Sequence, residues 1–113
     1  MREILFRGKR ADGGGWVYGY FFTEIGSFIK ERPSSVSTNT YLVLPETVGQ
    51  YTGQNDRNGT RVFEGDIVQQ NDEVGTVHYE GNYCTFAVIL KRNADLFQHI
   101  EYECEVVGNI FDK

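Results

Sequence analysis

The residues best suited to acid–base chemistry are one histidine and two carboxylates in the second half of the chain. His78 and Glu80 are two positions apart, and Asp66 lies upstream at the end of a glycine-rich segment. Residues i and i+2 of a strand share a face, so His78 and Glu80 are expected to be neighbours. The sequence places no nucleophile or oxyanion donor beside them, and exposed His and Glu on a strand are usually solvated. We therefore expect no enzyme and assign no catalytic residue.

Metal binding is the second chemistry to consider, because the chain has two cysteines and two histidines. His78 and His99 have no HxxxH or CxxC companion, whereas a zinc site needs about four converging ligands. Cys84 and Cys104 fall on strand faces predicted to point inward, where a thiol behaves as a small hydrophobic group. We expect buried thiols, no metal site and no cofactor.

The glycine-rich segment GQYTGQNDRNGTRVFEGDIV, residues 49–68, has some features of a calcium loop. With Gly59 in the sixth place, Asp56 and Asn58 match the third and fifth places, but the first is glutamine and the twelfth glycine, so the closing acid is missing. A phosphate loop is also disfavoured, because neither Lys-Ser/Thr nor a helical pattern follows the glycines. The segment predicts a tight turn at Asn58-Gly59.

Composition predicts one compact, soluble chain. Its 113 residues are about one domain's length, and 40% are hydrophobic and 14% aromatic, which is enough for a core. No apolar run approaches the roughly 20 residues that span a bilayer, and MREILFRGKR lacks the apolar centre of a secretion signal. We expect a cytoplasmic protein that makes no contact with a membrane.

Short alternating apolar runs separated by Gly, Asn and Asp predict a mostly β fold. We expect an N-terminal β-hairpin with a loop (1–47), turning at ADGGG, packed on a C-terminal small barrel or curled antiparallel sheet (48–113). EGDIVQQNDEVGTVHYEGNY also resembles part of an SH3-like barrel. At most one or two short helical turns are expected, one of them within 94–101. Strands are predicted near 2–7, 15–22, 40–44, 48–52, 61–63, 66–70, 74–80, 83–90 and 103–111.

Gly81-Asn82 predicts a two-residue turn between the strands 74–80 and 83–90. That register places Glu80 opposite Tyr83 and divides the hairpin into two faces. The face expected to be buried carries Val77, Tyr79, Cys84, Phe86 and Val88. The reverse face, with His78, Glu80 and Tyr83, is mixed and suits water or a partner.

Charge is unevenly distributed along the chain. Residues 1–47 hold six Lys/Arg and five Asp/Glu (6 − 5 = +1), whereas residues 48–113 hold five and eleven (5 − 11 = −6). The acidic second part would repel a phosphate backbone, which disfavours a general nucleic-acid binder. The basic cluster consists of Arg2, Arg7, Lys9 and Arg10.

Trp16, Tyr18 and Tyr20 alternate along one strand and therefore share a face. We interpret the protein as a non-catalytic binding or assembly module that uses such aromatic faces toward a protein partner or another copy. Two alternatives remain: the rings fill the core, or they stack on bases of a nucleic acid held by the basic residues. The candidate interaction surface comprises Arg2, Arg7, Lys9, Arg10, Trp16, Tyr18, His78, Glu80 and Tyr83.

Three segments resemble the YopX-like family of phage and prophage proteins. The central motif is Gly49-Gln50-Tyr51-Thr52-Gly53, then Asp56, Asn58-Gly59 and Glu64-Gly65-Asp66-Ile67-Val68. The opening, residues 1–7, and the closing segment, residues 105–111, are also similar to those of the family. The resemblance implies a small β-rich protein with one YopX-like domain, 1–113, in the cytoplasm of a bacterial host. It implies no reaction and no catalytic residues, and we interpret the motif residues as structural.

Overall fold

The computed structural model describes residues 4–31, 39–81 and 83–112, and their regular structure is almost entirely antiparallel β-sheet. The mostly β prediction is confirmed. The chain divides into two compact units, residues 1–51 and 52–113. The helical structure among the described residues is one 3-10 turn, Pro45–Thr47. The strands are β1 (Phe6–Lys9), β2 (Trp16–Thr23), β3 (Ser27–Lys30), β4 (Thr40–Leu42), β5 (Gly49–Asn55), β6 (Arg61–Phe63), β7 (Asp66–Gln70), β8 (Glu73–Glu80), β9 (Thr85–Leu90), β10 (Phe97–Gln98) and β11 (Glu105–Asn109).

The first unit is a curled sheet with the strand order β4-β3-β2-β1-β5. One side carries the core, in which Val17, Ile29 and Val43 are buried. An isolated bridge between Arg10 and Val43 draws the end of β4 back to the end of β1. The predicted hairpin is therefore part of a larger sheet. The sequence did not predict β3, because its four residues SFIK are too short to show an alternating pattern of their own.

The second unit contains a sheet with the order β10-β9-β8-β7-β11. This sheet is not closed into a barrel, so the curled sheet is correct and the SH3-like barrel is not. The core of this unit contains Cys104, just before β11, together with residues from β6 to β9, namely Val62, Val68, Val77, Phe86, Val88 and Leu90. Asn71 and Asp72, with φ of 50° and 61°, form the two-residue turn between β7 and β8. Two positive φ values in such a turn match the twist of the flanking strands.

The hairpin of β8 and β9 differs from the predicted register. Glu80 pairs with Thr85 and Val77 with Val88, so four positions separate the paired ends of the strands. Asn82, one of the two predicted turn residues, lies outside the described residues. The predicted two-residue turn at Gly81-Asn82 is therefore wrong. The register has shifted by two positions on β9, and an even shift leaves every side chain on its original face. Val77 and Val88 are fully buried, as the face assignment predicted.

Two residues of that predicted core face are nevertheless exposed. Cys84 lies in the longer loop with φ of 52°, outside the strand, so the prediction that it is a buried thiol is wrong. Tyr79 remains on β8 but is 51% exposed, with its ring 5.3 Å from that of Phe86. Cys104 is fully buried, as predicted.

The segment 94–101 does not form the expected helical turn. Phe97 pairs with Ile89 and Gln98 with Val88, which makes β10 a short strand on the edge of β9. The Oδ1 of Asn93 accepts the N–H of Asp95 at 2.9 Å in the turn before this strand. The main-chain N–H and C=O groups on the edge of β9 need hydrogen-bond partners, and residues 97–98 supply them. This pairing is more favourable than the weak helical preference of the segment.

Candidate binding face

The hairpin of β1 and β2 brings two cations beside the aromatic row of β2. Arg7 pairs with Tyr18, and Lys9 pairs with Trp16. Paired residues of an antiparallel sheet project to the same side, so all four share one face. Val17 lies on the opposite side, in the core. We call the side that carries Trp16 and Tyr18 the outer face.

The outer face continues across β3 and β4. Tyr20 pairs with Lys30, and Phe22 pairs with Phe28, whose ring is stacked on it at 5.5 Å. In β1 to β4, the outer-face positions include three cations and no acidic residue. These positions are Arg7, Lys9, Trp16, Tyr18, Tyr20, Phe22, Phe28, Lys30, Thr40 and Leu42.

Several large side chains of the outer face remain open to solvent. The exposed fractions are 47% for Tyr18, 49% for Tyr20, 38% for Phe22 and 49% for Leu42. Ile29 and Val43, on the other side of the sheet, are 0% and 2% exposed. The core of this unit is therefore on the inner side, and the aromatic row of β2 lies outside it.

At one end of the outer face, Trp16 lies close to the cationic groups of Arg7 and Lys9. The Cζ atom of Arg7 lies 4.7 Å from the centroid of the Trp16 ring, and the Nζ atom of Lys9 lies 5.6 Å from it. Both distances are within the range of a cation–π interaction. Arg7 is only 6% exposed, so its guanidinium contacts the Trp16 ring while most of the side chain is shielded from solvent.

Arg10 is separated from the other basic residues. It follows the last residue of β1, and its Cζ atom lies 4.5 Å from the centroid of the Tyr41 ring. Its Nη2 donates to Asp12 Oδ2 at 2.6 Å. This hydrogen bond raises the pKa of Arg10 and lowers that of Asp12, whose other oxygen accepts the N–H of Gly14. Arg10 therefore anchors the hairpin loop.

Gly19 holds β2 close to β3 beneath this surface. A Cβ atom at Gly19 would lie 2.1 Å from the main-chain oxygen of Lys30. A backbone oxygen cannot move aside as a flexible side chain can, so only glycine fits without a shift of the strands. The alignment of Tyr20 with Lys30 depends on this approach.

The remaining candidate surface residues belong to the second unit. His78 is exposed on β8, and Glu80 follows on the same face of that strand. Tyr83 is 66% exposed in the 81–84 loop, with its ring 5.5 Å from that of Phe97. His78 also borders a shallow cavity of about 400 Å³ with mostly apolar walls. Arg2 lies outside the described residues.

Asp56, from the central motif, forms a buried structural centre in the second unit. Its Oδ1 accepts the N–H groups of Asn58 and Thr60, and its Oδ2 accepts that of Val106, all at 2.9 Å. Burial alone would raise the pKa of Asp56, but the three backbone donors outweigh it, and the pKa is lowered. The carboxylate thereby joins the turn at 56–60 to β11.

Some of the other motif residues lie at turns and strand ends, whereas residues 49–53 belong to β5. Asp66 is 1% exposed, and its Oδ2 accepts the N–H of Phe63 at 2.8 Å. Gly65 has φ of 88°, with the Phe111 ring 2.8 Å from where its Cβ would stand, and Gly59 has φ of 82° in the predicted turn. In the described ranges, no group of three His, Cys, Asp or Glu side chains could hold a metal ion.

Sequence reasoning did not include Phe22 and Lys30 in the candidate surface. The alternation Trp16, Tyr18, Tyr20 extends to Phe22, so that residue could have been found from the sequence. Lys30 could not, because its place opposite Tyr20 depends on the unpredicted strand β3. None of the described helical structure is long and apolar enough to cross a bilayer.

Comparison with known proteins gives one family match. A search of curated proteins found no match. A family model described as YopX protein matches residues 20–113, most of the chain. The match includes the central motif and the closing segment, whereas the similar opening segment and the first half of β2 precede it. The chain belongs to the YopX family.

Proposed function

We propose that this protein is a non-catalytic binding or assembly module and that the outer face is its recognition surface. The observation that carries the proposal is the row of exposed rings, Tyr18, Tyr20 and Phe22, on the side of the sheet opposite the core. Trp, Tyr, Phe and Arg are the residues enriched at the centres of protein interfaces. The outer face combines all four types.

The size of the exposed area supports this proposal. A Tyr or Phe side chain has roughly 150–250 Å² of surface, so rings that are 38–49% exposed each present somewhat under 100 Å². Together with Leu42 they offer about 300–400 Å² of mainly apolar surface. Patches of this size on a monomer are often functional.

The competing explanation is that the rings stabilise the fold, and unfolding measurements separate the two. Tyr18→Ser and Tyr20→Ser should each cost about 1 kcal/mol of unfolding free energy, the size of a difference in strand propensity and one lost cross-strand pair. Ile29→Ala, on the inner side, should cost about 2–5 kcal/mol because it opens a cavity in the core. A loss above about 2 kcal/mol for either tyrosine variant would refute the proposed role of the face.

Self-association is one form that binding could take. If the outer face binds another copy, light scattering after size exclusion at increasing concentration will show a mass above the monomer for the wild type and a smaller increase for Tyr20→Ser. A strictly monomeric wild type at high micromolar concentration would exclude assembly and leave a different molecule as the partner.

A further inference from the structure

We propose that the ligand of the outer face is single-stranded nucleic acid. This inference rests on the proposed function and names the chemical class that the face would bind. It follows from the local charge of the face, the order of its side chains and the geometry of β2.

The charge of the outer face is opposite in sign to that of the whole chain. The protein has a formal net charge of −5, yet the outer positions of β1 to β4 carry Arg7, Lys9 and Lys30 and no acid. A surface with one sign of charge favours a partner of the other sign. The acidity that disfavours a general nucleic-acid binder lies mostly in residues 48–113, so it does not describe this face. The expected ligand is an anion.

Cations lie beside the row of rings on both sides, two on β1 and one on β3. Each of the three aromatic residues at the start of β2 has a cation directly opposite: Lys9 faces Trp16, Arg7 faces Tyr18, and Lys30 faces Tyr20. Successive rings are two residues apart, or about 6.8 Å along a strand. Non-specific single-strand binders combine these features, with rings that stack on bases and cations that follow the phosphates.

The row of rings distinguishes a single strand from other anions. A double helix turns its phosphates outward and keeps its base faces stacked inside, so it would contact the cations and leave the rings unused. An acidic peptide has carboxylates for the cations but no series of flat groups at regular intervals. A single strand satisfies both parts of the surface, because every base has a face that can stack.

The number of cations sets the expected salt dependence. Lys9 and Lys30 can reach phosphates at the surface, and Arg7 adds a third charge from its more buried position. Binding of a single strand through Z phosphates gives a slope of about −0.7Z in log K against log salt. For the two phosphates that the lysines can contact, the affinity should fall about 7-fold when salt rises fourfold.

Trp16 provides the measurement, because it is the only tryptophan in the chain. Adding a short oligodeoxythymidylate should quench its fluorescence, and the affinity should show the stated salt dependence. Tyr20→Ser should weaken binding at least about fivefold, since stacking contributes about 1–3 kcal/mol per base. Lys30→Gln should make the salt slope less steep by about 0.7.

Two variants in the second unit serve as matched controls. Tyr102 is 85% exposed and Lys91 is exposed, so Tyr102→Ser and Lys91→Gln remove the same groups outside the outer face. Both should bind like the wild type. Equal losses in the control and test variants would overturn the assignment of the site.

Three further results would overturn the inference. They are no quenching at low salt, equally tight binding of a duplex, or equally tight binding of polyglutamate, which would show charge recognition without stacking. If the oligonucleotide does not bind but Tyr18→Ser and Tyr20→Ser remain well folded, the ligand class is wrong and the proposed binding face stands. If those variants unfold the protein, the proposed function itself fails.

Discussion

Replacing Asp56 by asparagine should destabilise the second unit, although the two side chains have nearly the same shape. The carboxylate of Asp56 is 7% exposed and accepts three backbone N–H groups, two on Oδ1 and one on Oδ2. Asparagine offers one oxygen and one NH₂ group. One of the two acceptor positions must therefore become a donor.

The magnitude follows from the less damaging orientation of the amide. If the oxygen keeps the N–H groups of Asn58 and Thr60, the NH₂ group faces the N–H of Val106, and a buried donor loses its acceptor. The flipped amide would lose two bonds. Hydrogen bonds to charged groups contribute about 1.5–3 kcal/mol, so we expect Asp56→Asn to cost about 2–3 kcal/mol at pH 7. The melting temperature should fall by roughly 10 °C.

The pH dependence of the effect has a definite sign. The pKa of Asp56 is lowered in the folded protein, so its charge stabilises the fold above the unfolded pKa of about 4. This stabilisation is lost as pH falls through the folded pKa. The difference in unfolding free energy between wild type and Asp56→Asn should therefore be constant from about pH 5 to 8 and should shrink below about pH 4.

Urea unfolding followed by circular dichroism at several pH values measures both effects. Asp12→Asn is the control, because Asp12 is exposed and its carboxylate accepts hydrogen bonds from Arg10 and Gly14 of the same hairpin loop. Its urea midpoint should lie much closer to the wild-type value than that of Asp56→Asn, because an exposed ion pair contributes little to stability. If Asp56→Asn unfolded at the wild-type urea concentration at pH 7, Asp56 would not be the structural centre that its hydrogen bonds indicate.

Two further predictions test the register of the sheet and the positions of the thiols. Gly19→Ala should cost about 1–3 kcal/mol in urea unfolding, because its Cβ would meet the Lys30 oxygen at 2.1 Å. Gly81→Ala, with no atom within 4 Å of its Cβ, should cost less, and equal midpoints would contradict the close approach. In the native protein one thiol should react rapidly with a disulfide reagent, and Cys84→Ser should abolish this phase. Cys104 should react only on unfolding, since burial and nearby carboxylates raise its pKa; a fast phase that disappears in Cys104→Ser would reverse the assignment.

The predictions that succeeded rest on side-chain alternation. Val77 and Val88 were assigned to the buried face from a hairpin register that was wrong by two positions. The assignment survived because the face of a strand residue depends only on whether its position is odd or even. The prediction that Cys84 is buried was wrong, because Cys84 lies between the two strands and not in β9. Loop length depends on which main-chain pairs close the hairpin, and local composition alone does not determine this.

The candidate site shows the same division. Trp16, Tyr18 and Tyr20 are spaced two residues apart along β2. Strand side chains alternate between the two sides of a sheet, so the sequence alone shows that these rings share a side. Whether that side faces the core or solvent depends on where the other strands place Ile29 and Val43. The partners of the rings were also decided by tertiary pairing. Lys30 meets Tyr20 only through β3, and Arg10, next to Lys9 in sequence, is directed to Tyr41 and Asp12.

The sequence by itself determined the β character, the faces of the strands and the turn at Asn58-Gly59, because these follow from local periodicity and backbone preference. Tertiary structure decided the registers, the open form of the sheets and the gathering of three cations around an aromatic row in an acidic protein. Those features depend on pairing between segments distant in sequence. Such pairing is selected by the packing and main-chain hydrogen bonds of the whole sheet.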